Sequence, residues 1–380
     1  MRARLTLWCA FLVLSVAICG SAQAGVYQPG ARPPYDAGIL IEAETGTVLF
    51  SHNPRLQHSP ASTLKLLLEL VVMEQIGQGK LALTDSVRVS KEASRVGGSQ
   101  VYLKEGEMFP LDDLMAAVVI ASGNDACLAV AEHIAGSQDG FVALMNARAR
   151  DLGLDDTHCV NVHGLDDTPA DNRNLTSAHD LAQMARRLVV HPEVLRWSST
   201  QSKPFRGGTF VLGNTNHLLG VFAGMDGLKT GFTARAKFCL VATASRDGMR
   251  LISVVLGAPN SRIRSQETAR LLSWGFANFS RVQLASAGEP LGRVVLDDGM
   301  EPEVGAVTHD SVVAVVRTDQ AAHVSRQLDL PPRVAAPVQA GAGLGKLRVT
   351  LGDSLLAEVE LIADKTVARM GMWDKLMSYF

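Results

Sequence analysis

Apolar residues along the chain follow two spacings, and these predict its main elements. Two strand-like runs within residues 37–51 flank Glu44-Thr45-Gly46, which predicts a β-hairpin. The next run, Leu64 to Met73, is apolar at nearly every position until Gly77, which predicts a helix buried on all sides. Further helices are predicted over 111–121, 122–135, 141–152, 178–190 and 262–276, and strands over 229–231, 238–245 and 251–256. The three strands indicate an antiparallel meander.

The pattern changes beyond Phe279. Short alternating runs such as 312–317 and 347–351, separated by glycines and prolines, predict a small β-rich domain over 280–366. Residues 367–380 carry apolar side chains at spacings of three and four, which predicts an amphipathic C-terminal helix. Such a helix either lies on a membrane surface or docks on the protein itself.

The first residues have the pattern of a secretory signal. Arg2 and Arg4 precede an apolar run over 5–18, and Ala22-Gln23-Ala24 has the small residues of a cleavage site. We therefore expect residues 1–24 to be a signal peptide and the chain to be periplasmic or on the outer face of the cytoplasmic membrane. Lipidation at Cys19 is less favoured, because the residue before it is a bulky isoleucine.

Composition narrows the function. The length of 380 residues predicts two domains, and a net charge of -2 argues against a nucleic-acid partner. Without the signal peptide, Cys127, Cys159 and Cys239 remain, which we interpret as buried thiols. No Cys/His cluster has zinc spacing, so the sequence predicts neither a metal nor a cofactor.

The apolar run begins with a pair of reactive side chains. Ser62 and Lys65 are three residues apart, so on a helix the amine can reach the hydroxyl. A lysine in apolar surroundings has a lowered pKa and can activate a serine as a nucleophile. Taken alone, the pair also fits a capping serine and a lysine that extends to the surface.

Two further short motifs could supply polar groups. Ser122 and Asn124 lie in a loop between two predicted helices, and Lys229-Thr230-Gly231 opens a predicted strand. Each is equally compatible with an ordinary turn. The histidines near them, His163 and His217, are more typical of structural roles.

The order Ser-x-x-Lys, Ser-x-Asn, Lys-Thr-Gly in an exported chain resembles penicillin-binding proteins and serine β-lactamases. More specifically, the chain resembles the serine-type D-alanyl-D-alanine carboxypeptidases, the low-molecular-mass penicillin-binding proteins. The matching segments are 60–65, 122–126, 162–166, 226–231 and 250–253. The similarity runs from about Ala37 to Phe279 and more loosely to the C-terminus.

This resemblance implies an α+β fold. A β-lactamase/transpeptidase-like catalytic domain, an antiparallel sheet with helices, would span 25–279, followed by the β-rich domain and a C-terminal membrane anchor. The substrate would be the peptidoglycan stem peptide ending in D-Ala-D-Ala, cleaved through an acyl-enzyme. β-Lactam antibiotics would acylate the same serine.

The resemblance also assigns roles to individual residues. They are Ser62 as nucleophile, Lys65 as general base, Ser122 as proton relay to the leaving amine, Asn124 as partner of the substrate amide, Lys229 and Arg264 as partners of the terminal carboxylate, Thr230 and Gly231 as further substrate-binding residues, and the backbone N–H groups of Ser62 and Phe232 as the oxyanion hole.

Two departures from the family pattern stand in the sequence. Thr63 and Leu64 appear in exchanged order, and little effect is expected because both point away from the Ser62–Lys65 face. Lys237 stands where the family tends to have glycine, and it could crowd the floor of the site or alter the strand bend. Substrate preference, not reaction class, would be affected.

Two alternatives remain at this stage. A β-lactamase uses the same serine, but no Glu-x-x-Leu-Asn element occurs between Ser122 and Lys229. A catalytically silent penicillin-binding or cell-wall scaffold protein is the other, and it does not explain why every motif residue is intact.

Overall fold

The computed structural model describes residues 33–373 except 168 and 170, so the predicted signal peptide lies outside the described residues. The helices are α1 (Lys65–Gly77), α2 (Leu111–Ile120), α3 (Asn124–Ala135), α4 (Gln138–Asp151), α5 (Ala178–Leu188), α6 (Pro192–Ser199) and α7 (Ser261–Asn278). The strands before α7 are β1 (Ala37–Glu42), β2 (Val48–His52), β3 (Ser86–Arg88), β4 (Met108–Pro110), β5 (Ser202–Phe205), β6 (Phe210–Gly213), β7 (Met225–Thr233), β8 (Lys237–Arg246) and β9 (Met249–Ala258).

An antiparallel sheet with the order β2-β1-β9-β8-β7 forms the centre of the catalytic region. The predicted hairpin and the predicted meander are both confirmed. Strands β1 and β9 pair with each other and so join the hairpin to the meander in one sheet. Leu40 of β1 lies opposite Ser253 of β9, about 210 residues later in the sequence. Strand β7 lies at the edge of the sheet, next to the nucleophile segment.

Apolar side chains cover both faces of this sheet. On β1, Ile39 and Ile41 pack into the helical cluster around α1, while Leu40 faces α7 and contributes to a second core with Leu271. The alternation is the period of two expected of a strand buried on both sides. Each such side chain contributes about 1.5–3 kcal/mol when buried.

Helix α1 lies inside this core, as predicted. Every residue from Lys65 to Met73 is buried, including the two charged ones, Lys65 and Glu69. The α-helix begins at Lys65, because residues 61–64 form a tighter 3₁₀ turn. It continues to Gly77, where the predicted stop lies.

Residues 192–213 form elements that were not predicted. They form α6 and the β5–β6 hairpin, which the sequence analysis did not identify. This part of the chain has few apolar positions, and its hairpin is joined by a turn with Gly207 and Gly208.

The C-terminal region is all-β, as predicted. Its strands are β10 (Phe279–Ala285), β11 (Gly292–Asp297), β12 (Glu303–Val307), β13 (Val312–Arg317), β14 (Val324–Asp329), β15 (Arg333–Ala335), β16 (Gly343–Leu351) and β17 (Ser354–Ala363). They form one sheet of order β14-β16-β17-β12-β11-β15 and the pair β10-β13. Their apolar faces share a separate core that includes Val294, Leu347 and Leu361.

The predicted C-terminal helix begins later than expected. Val367 forms a bridge with Val338, and Arg369 forms one with Gly299, so a helical start at Val367 is wrong. Helical geometry begins at Met372, and residues 374–380 lie outside the described residues. Among the helices described, none has the length and apolar character that crossing a bilayer requires.

Candidate active site

The nucleophile segment is a tight turn that the surrounding backbone fixes. Ser62 lies in the 3₁₀ turn before α1, and the Thr63 hydroxyl donates to the Pro60 carbonyl at 2.6 Å. Thr63 and Leu64 are both buried, and the Thr63 hydroxyl bonds away from the Ser62–Lys65 pair. Ser62 is left partly exposed at the floor of a cleft.

Lys65 is the centre of the polar network. Its side chain is fully buried, and Nζ lies 2.6 Å from the Ser122 carbonyl oxygen and 2.7 Å from Asn124 Oδ1. The two hydroxyls are slightly farther, with Ser122 Oγ at 3.2 Å and Ser62 Oγ at 3.4 Å. One amine therefore joins Ser62, Ser122 and Asn124.

These contacts show how Lys65 can act as a base once it is neutral. A neutral amine has two hydrogens and one lone pair, and the two short contacts to Ser122 and Asn124 use the hydrogens. The lone pair is then available to the Ser62 hydroxyl. Burial lowers the pKa of Lys65 to about 8, although Cys127, Asp125 and Glu69 raise it in part.

The second motif is held by backbone contacts that sequence reasoning did not anticipate. Ser122 follows α2 with a φ of 60°, an uncommon conformation for serine. Asn124 donates from its backbone N to the Ser99 carbonyl and from Nδ2 to the Gly97 carbonyl, both at 2.7 Å. Asn124 is only 1% exposed, so the structure gives it the role of orienting Lys65. Its contact with a substrate amide stays a prediction.

Asp125 anchors this loop from the other side. Its buried carboxylate accepts hydrogen bonds from the backbone N–H groups of Val101 and Leu103, each at 3.0 Å to Oδ2. These hydrogen bonds hold residues 101–103, which precede Ser122 in the sequence, against the N-terminus of α3.

The third motif reaches the nucleophile through the edge strand. A Cβ on Gly231 would lie 3.0 Å from the Pro60 carbonyl oxygen and 3.1 Å from the Thr63 nitrogen. Only glycine allows β7 to approach the turn this closely. Lys229, two residues earlier, shares that face of the strand and is buried.

Lys229 has capacity for a ligand. Its Nζ donates to the Thr230 carbonyl at 3.0 Å, and an ammonium has three hydrogens. Burial, followed by the charge of the nearby Lys65, lowers the pKa of Lys229 to about 7, although Glu69 and Cys127 raise it in part. Because this repulsion is mutual, a proton on one lysine disfavours a proton on the other.

Arg264 supplies a second cation to the same cleft. It comes from α7, is 5% exposed, and its Nη2 donates to Ser261 Oγ at 3.1 Å. Its Nε has no hydrogen-bond partner among the described residues. Arg264 lines the cleft, and Lys229 is buried close enough to Arg264 for their charges to interact, so this part of the cleft has a positive potential.

The Val162-His163-Gly164 loop packs against the backbone directly before the nucleophile Ser62. Gly164 has a φ of 83°, and a Cβ there would lie 2.0 Å from the carbonyl oxygen of Ala61. His163 is buried, and burial followed by the charge of Lys65 lowers its pKa to about 4. It is neutral, in agreement with the structural role predicted for it.

The cleft has a volume of about 470 Å³. Predicted site residues in its lining are Ser62, Ser122, Thr230, Gly231, Phe232 and Arg264. Ser99 and Thr215 also line the cleft and were not predicted, and His217, for which a structural role was predicted, lines it as well. The polar run Asn214-Thr215-Asn216 directly after β6 was the available signal, and Thr215 Oγ1 lies 2.6 Å from Thr230 Oγ1.

Lys237 does not crowd the site. Its Nζ lies 3.0 Å from Asp36 Oδ2 at the surface, and it does not line the cleft. Its φ of 55° is the backbone conformation that glycine adopts most readily. The neighbouring Phe238 instead contacts Phe232 in the cleft lining, with ring centroids 4.3 Å apart and an interplanar angle of 36°.

Two expectations about cysteines and metals can be compared with the structure. Cys127, Cys159 and Cys239 are buried free thiols, as predicted. Across residues 33–373, apart from 168 and 170, no group of three or more His, Cys, Asp or Glu side chains is arranged to hold a metal ion.

Comparison with known proteins identifies the same family as the motifs do. The D-alanyl-D-alanine carboxypeptidase family matches residues 31–260, and the penicillin-binding protein 5 C-terminal domain matches residues 279–369. D-alanyl-D-alanine carboxypeptidase DacD of Salmonella typhimurium is 35% identical over 378 residues, covering 97% of this chain and 95% of that protein.

Solved structures are similar as well. Penicillin binding protein 5 from Haemophilus influenzae has a TM-score of 0.79 at 30% identity and covers 91% of this chain and 100% of its own. Penicillin-Binding Protein D2 from Listeria monocytogenes, in its ampicillin-bound form, has a TM-score of 0.59 at 30% identity and covers 66% of this chain and 100% of its own. The chain belongs to the D-alanyl-D-alanine carboxypeptidase family and is a serine peptidase.

Proposed function

We propose that this peptidase removes the terminal D-Ala from peptidoglycan stem peptides and that β-lactams acylate its nucleophile. The observation that carries the proposal is the contact of Lys65 Nζ with the hydroxyls of both Ser62 and Ser122, which line a cleft that also contains Arg264. Nucleophile, base, proton relay and carboxylate partners are all present.

Acylation follows from this arrangement. Ser62 Oγ attacks the carbonyl carbon of the penultimate D-Ala, and its proton passes to the Lys65 lone pair. The negative charge on the former carbonyl oxygen is stabilised by the backbone N–H groups of Ser62 and Phe232. As the C–N bond breaks, the proton passes through Ser122 Oγ to the leaving nitrogen of D-Ala. An ester on Ser62 remains.

Deacylation restores the enzyme. Water attacks the ester carbon, its proton returns through Lys65 to Ser62 Oγ, and the shortened peptide leaves. None of the described residues that line the cleft is an aspartate or glutamate, so no carboxylate is available to activate this water strongly. Slow release of a bound β-lactam is therefore expected, which favours a carboxypeptidase over a β-lactamase.

The charge of the cleft selects the substrate end. A stem peptide ends in a free carboxylate, which Lys229 and Arg264 can hold by charge-assisted hydrogen bonds. Strand β7 is at the sheet edge, so its backbone can pair with an extended peptide. Both features fit a linear peptide with a C-terminal carboxylate.

We also propose that the enzyme acts in the periplasm, on the outer face of the cytoplasmic membrane. The signal-like residues 1–24 support export, and the side chains of Met372 and Trp373, exposed at 88% and 81%, lie in the segment whose apolar spacing predicts an amphipathic helix. Sedimentation with anionic lipid vesicles tests the second point. The full chain is expected to sediment, whereas equal sedimentation of a chain ending at Gly371 would refute the anchor.

The catalytic proposal is tested with a diacylated peptide ending in D-Ala-D-Ala. We expect the chain to release free D-Ala and penicillin to add its mass to the peptide containing Ser62. Ser62→Ala is expected to abolish both, while Ser94→Ala, at a half-buried serine outside the cleft whose hydroxyl donates to the Lys91 carbonyl, keeps both. Absence of D-Ala release together with an unacylated Ser62 would refute the proposed carboxypeptidase activity.

A further inference from the structure

The loop between β6 and β7 forms part of the cleft wall, and two asparagines fix its conformation. Asn214 Nδ2 donates to two carbonyls at the end of α6, at 3.0 and 2.9 Å. Asn216 is 3% exposed, its Nδ2 donates to the Gly227 carbonyl at 3.3 Å, and its backbone N donates to Asn214 Oδ1 at 2.9 Å. Thr215, the residue between them, is therefore held in place, and it lines the cleft.

Thr215 contacts the third motif through its hydroxyl. Its Oγ1 lies 2.6 Å from Oγ1 of Thr230, at the short end of the range for hydrogen bonds between hydroxyls. Thr230 lies on β7, is 6% exposed, and lines the cleft together with Thr215. Neither hydroxyl has another hydrogen-bond partner among the described residues. The two threonines thus form a hydroxyl pair that the mechanism above does not use.

This hydroxyl pair has one hydrogen to spare. Each hydroxyl has one hydrogen and two lone pairs, and one of the two hydrogens lies between the two oxygens. The other hydrogen is available to an acceptor in the cleft. None of the described residues that line the cleft is an aspartate or glutamate, so a charged acceptor must come from the ligand. A carboxylate fits best, because Arg264 lines the same cleft and pairs with anions.

A bound carboxylate determines which hydroxyl donates to which. It can only accept hydrogen bonds, so one threonine directs its hydrogen at the carboxylate and the other donates to that threonine. Thr230 is the nearer one to the reacting carbonyl, because the next residue, Gly231, packs against the turn that carries Ser62. The terminal carboxylate belongs to the residue next to the carbonyl that Ser62 attacks. Thr230 is therefore the donor to the carboxylate, and Thr215 is the donor to Thr230.

We propose that Thr215 is a positioning residue for the substrate carboxylate: its hydroxyl donates to Thr230 and so directs the Thr230 hydrogen at the carboxylate. A hydroxyl that itself accepts a hydrogen bond is the stronger donor, so the pair binds the anion better than Thr230 alone. This inference rests on the proposed function, because it takes the carboxylate of the stem peptide as the ligand. The alternative is that the contact only ties the loop to β7.

The test compares two substrates and two substitutions. Thr215→Val removes the hydroxyl and keeps the shape of the side chain, whereas Thr215→Ser keeps the hydroxyl. One substrate is a diacylated peptide ending in D-Ala-D-Ala, and the other is the benzyl thioester of N-acetyl-D-alanine, which has a D-Ala carbonyl to attack and no carboxylate. Thr215→Val should raise KM for the peptide about tenfold with kcat less affected, the low end of the effect of a hydrogen bond to a charged group. Its hydrolysis of the thioester should be unchanged, and Thr215→Ser should have the wild-type KM for the peptide.

Thr209→Val is the matched control. Thr209 is exposed in the turn between β5 and β6, outside the cleft, and its hydroxyl donates to the Arg206 carbonyl at 2.9 Å. The same chemical change there should leave both assays unchanged. A double variant then measures the coupling: Thr230→Val should raise KM for the peptide, and adding Thr215→Val should raise it no further, because the two residues act through one contact.

The outcomes are distinct. A wild-type KM for the peptide in Thr215→Val overturns the inference. An equal loss on peptide and thioester overturns it too, because the contact would then support the loop and not the carboxylate, and so does a Thr215→Ser variant as impaired as Thr215→Val. Should Thr215→Val not fold, Thr215→Ala is assayed in the same way and judged by the same results. A wild-type chain that hydrolyses the thioester and releases no D-Ala from the peptide overturns the proposed function instead.

Discussion

Gly164→Ala should separate the stability of the fold from the placement of its nucleophile. The Cβ added by this change would lie 2.0 Å from the Ala61 carbonyl oxygen and 2.5 Å from its carbon. Both contacts are with backbone, so no side-chain rotation relieves them. Ala61 directly precedes Ser62, and any displacement reaches the nucleophile.

The expected cost has two parts. A left-handed conformation costs an L-residue about 1–2 kcal/mol, and the φ of 83° at Gly164 imposes this cost. Forcing an extra methyl group into a packed site costs about 1–3 kcal/mol more. The free energy of unfolding should therefore fall by about 2–5 kcal/mol.

Gly153→Ala is the matched control. Its φ is 65°, and no atom lies within 4 Å of the added Cβ, so only the backbone cost of about 1–2 kcal/mol applies. Urea unfolding of both variants measures the difference. Penicillin acylation should fall about 100-fold in Gly164→Ala alone, since a shift of about 1 Å in a reacting group has that effect.

Two results would contradict this reasoning. Equal unfolding free energies for the two variants would mean that the loop withdraws from Ala61 without strain. Wild-type acylation in a destabilised Gly164→Ala would mean that the contact supports the fold and not the position of Ser62.

Other substitutions probe the site walls. Asp125→Ala leaves the backbone N–H groups of Val101 and Leu103 unpaired. The free energy of unfolding in urea should therefore fall by about 2–4 kcal/mol, and a fall below about 1 kcal/mol would contradict the anchoring role. Arg264→Gln should raise KM for the peptide carboxylate at least tenfold with kcat less affected, whereas an unchanged KM in steady-state assays would exclude carboxylate binding. Lys237→Gly should leave kcat/KM unchanged. It should change the free energy of unfolding by less than about 1 kcal/mol, because relief of the backbone strain at a φ of 55° offsets the loss of the surface ion pair with Asp36. A changed preference among peptide substrates would show instead that Lys237 acts at the site.

The sequence predicted those parts of the fold whose apolar pattern is strong. Helix α1 and strands β8 and β9 follow from strongly apolar runs, β7 was predicted from Lys229-Thr230-Gly231, and all were identified. The motif residues Ser62, Ser122 and Lys229 were identified from their order along the chain and from the family resemblance. Local spacing gave no information on the distances among them.

What the sequence could not provide are contacts made across long separations. Asn124 orients Lys65 through bonds to the carbonyls of Gly97 and Ser99, and nothing in that glycine-rich loop marks it as a partner. Val367 pairs with Val338, which overrides the helical spacing of the C-terminal segment.

Lys65 can act as a base near neutral pH for two reasons, and each comes from a different part of the chain. The apolar run of α1 buries the amine, which lowers its pKa, and the second motif supplies the two acceptors that fix its hydrogens. Burial alone would not orient the nitrogen lone pair of Lys65 toward the Ser62 hydroxyl. Acceptors around an exposed lysine would stabilise the ammonium, which has three hydrogens to donate. Ser-x-x-Lys is therefore chemically informative only with the apolar residues after it, and the run from Leu66 to Met73 says as much about catalysis as the motif does.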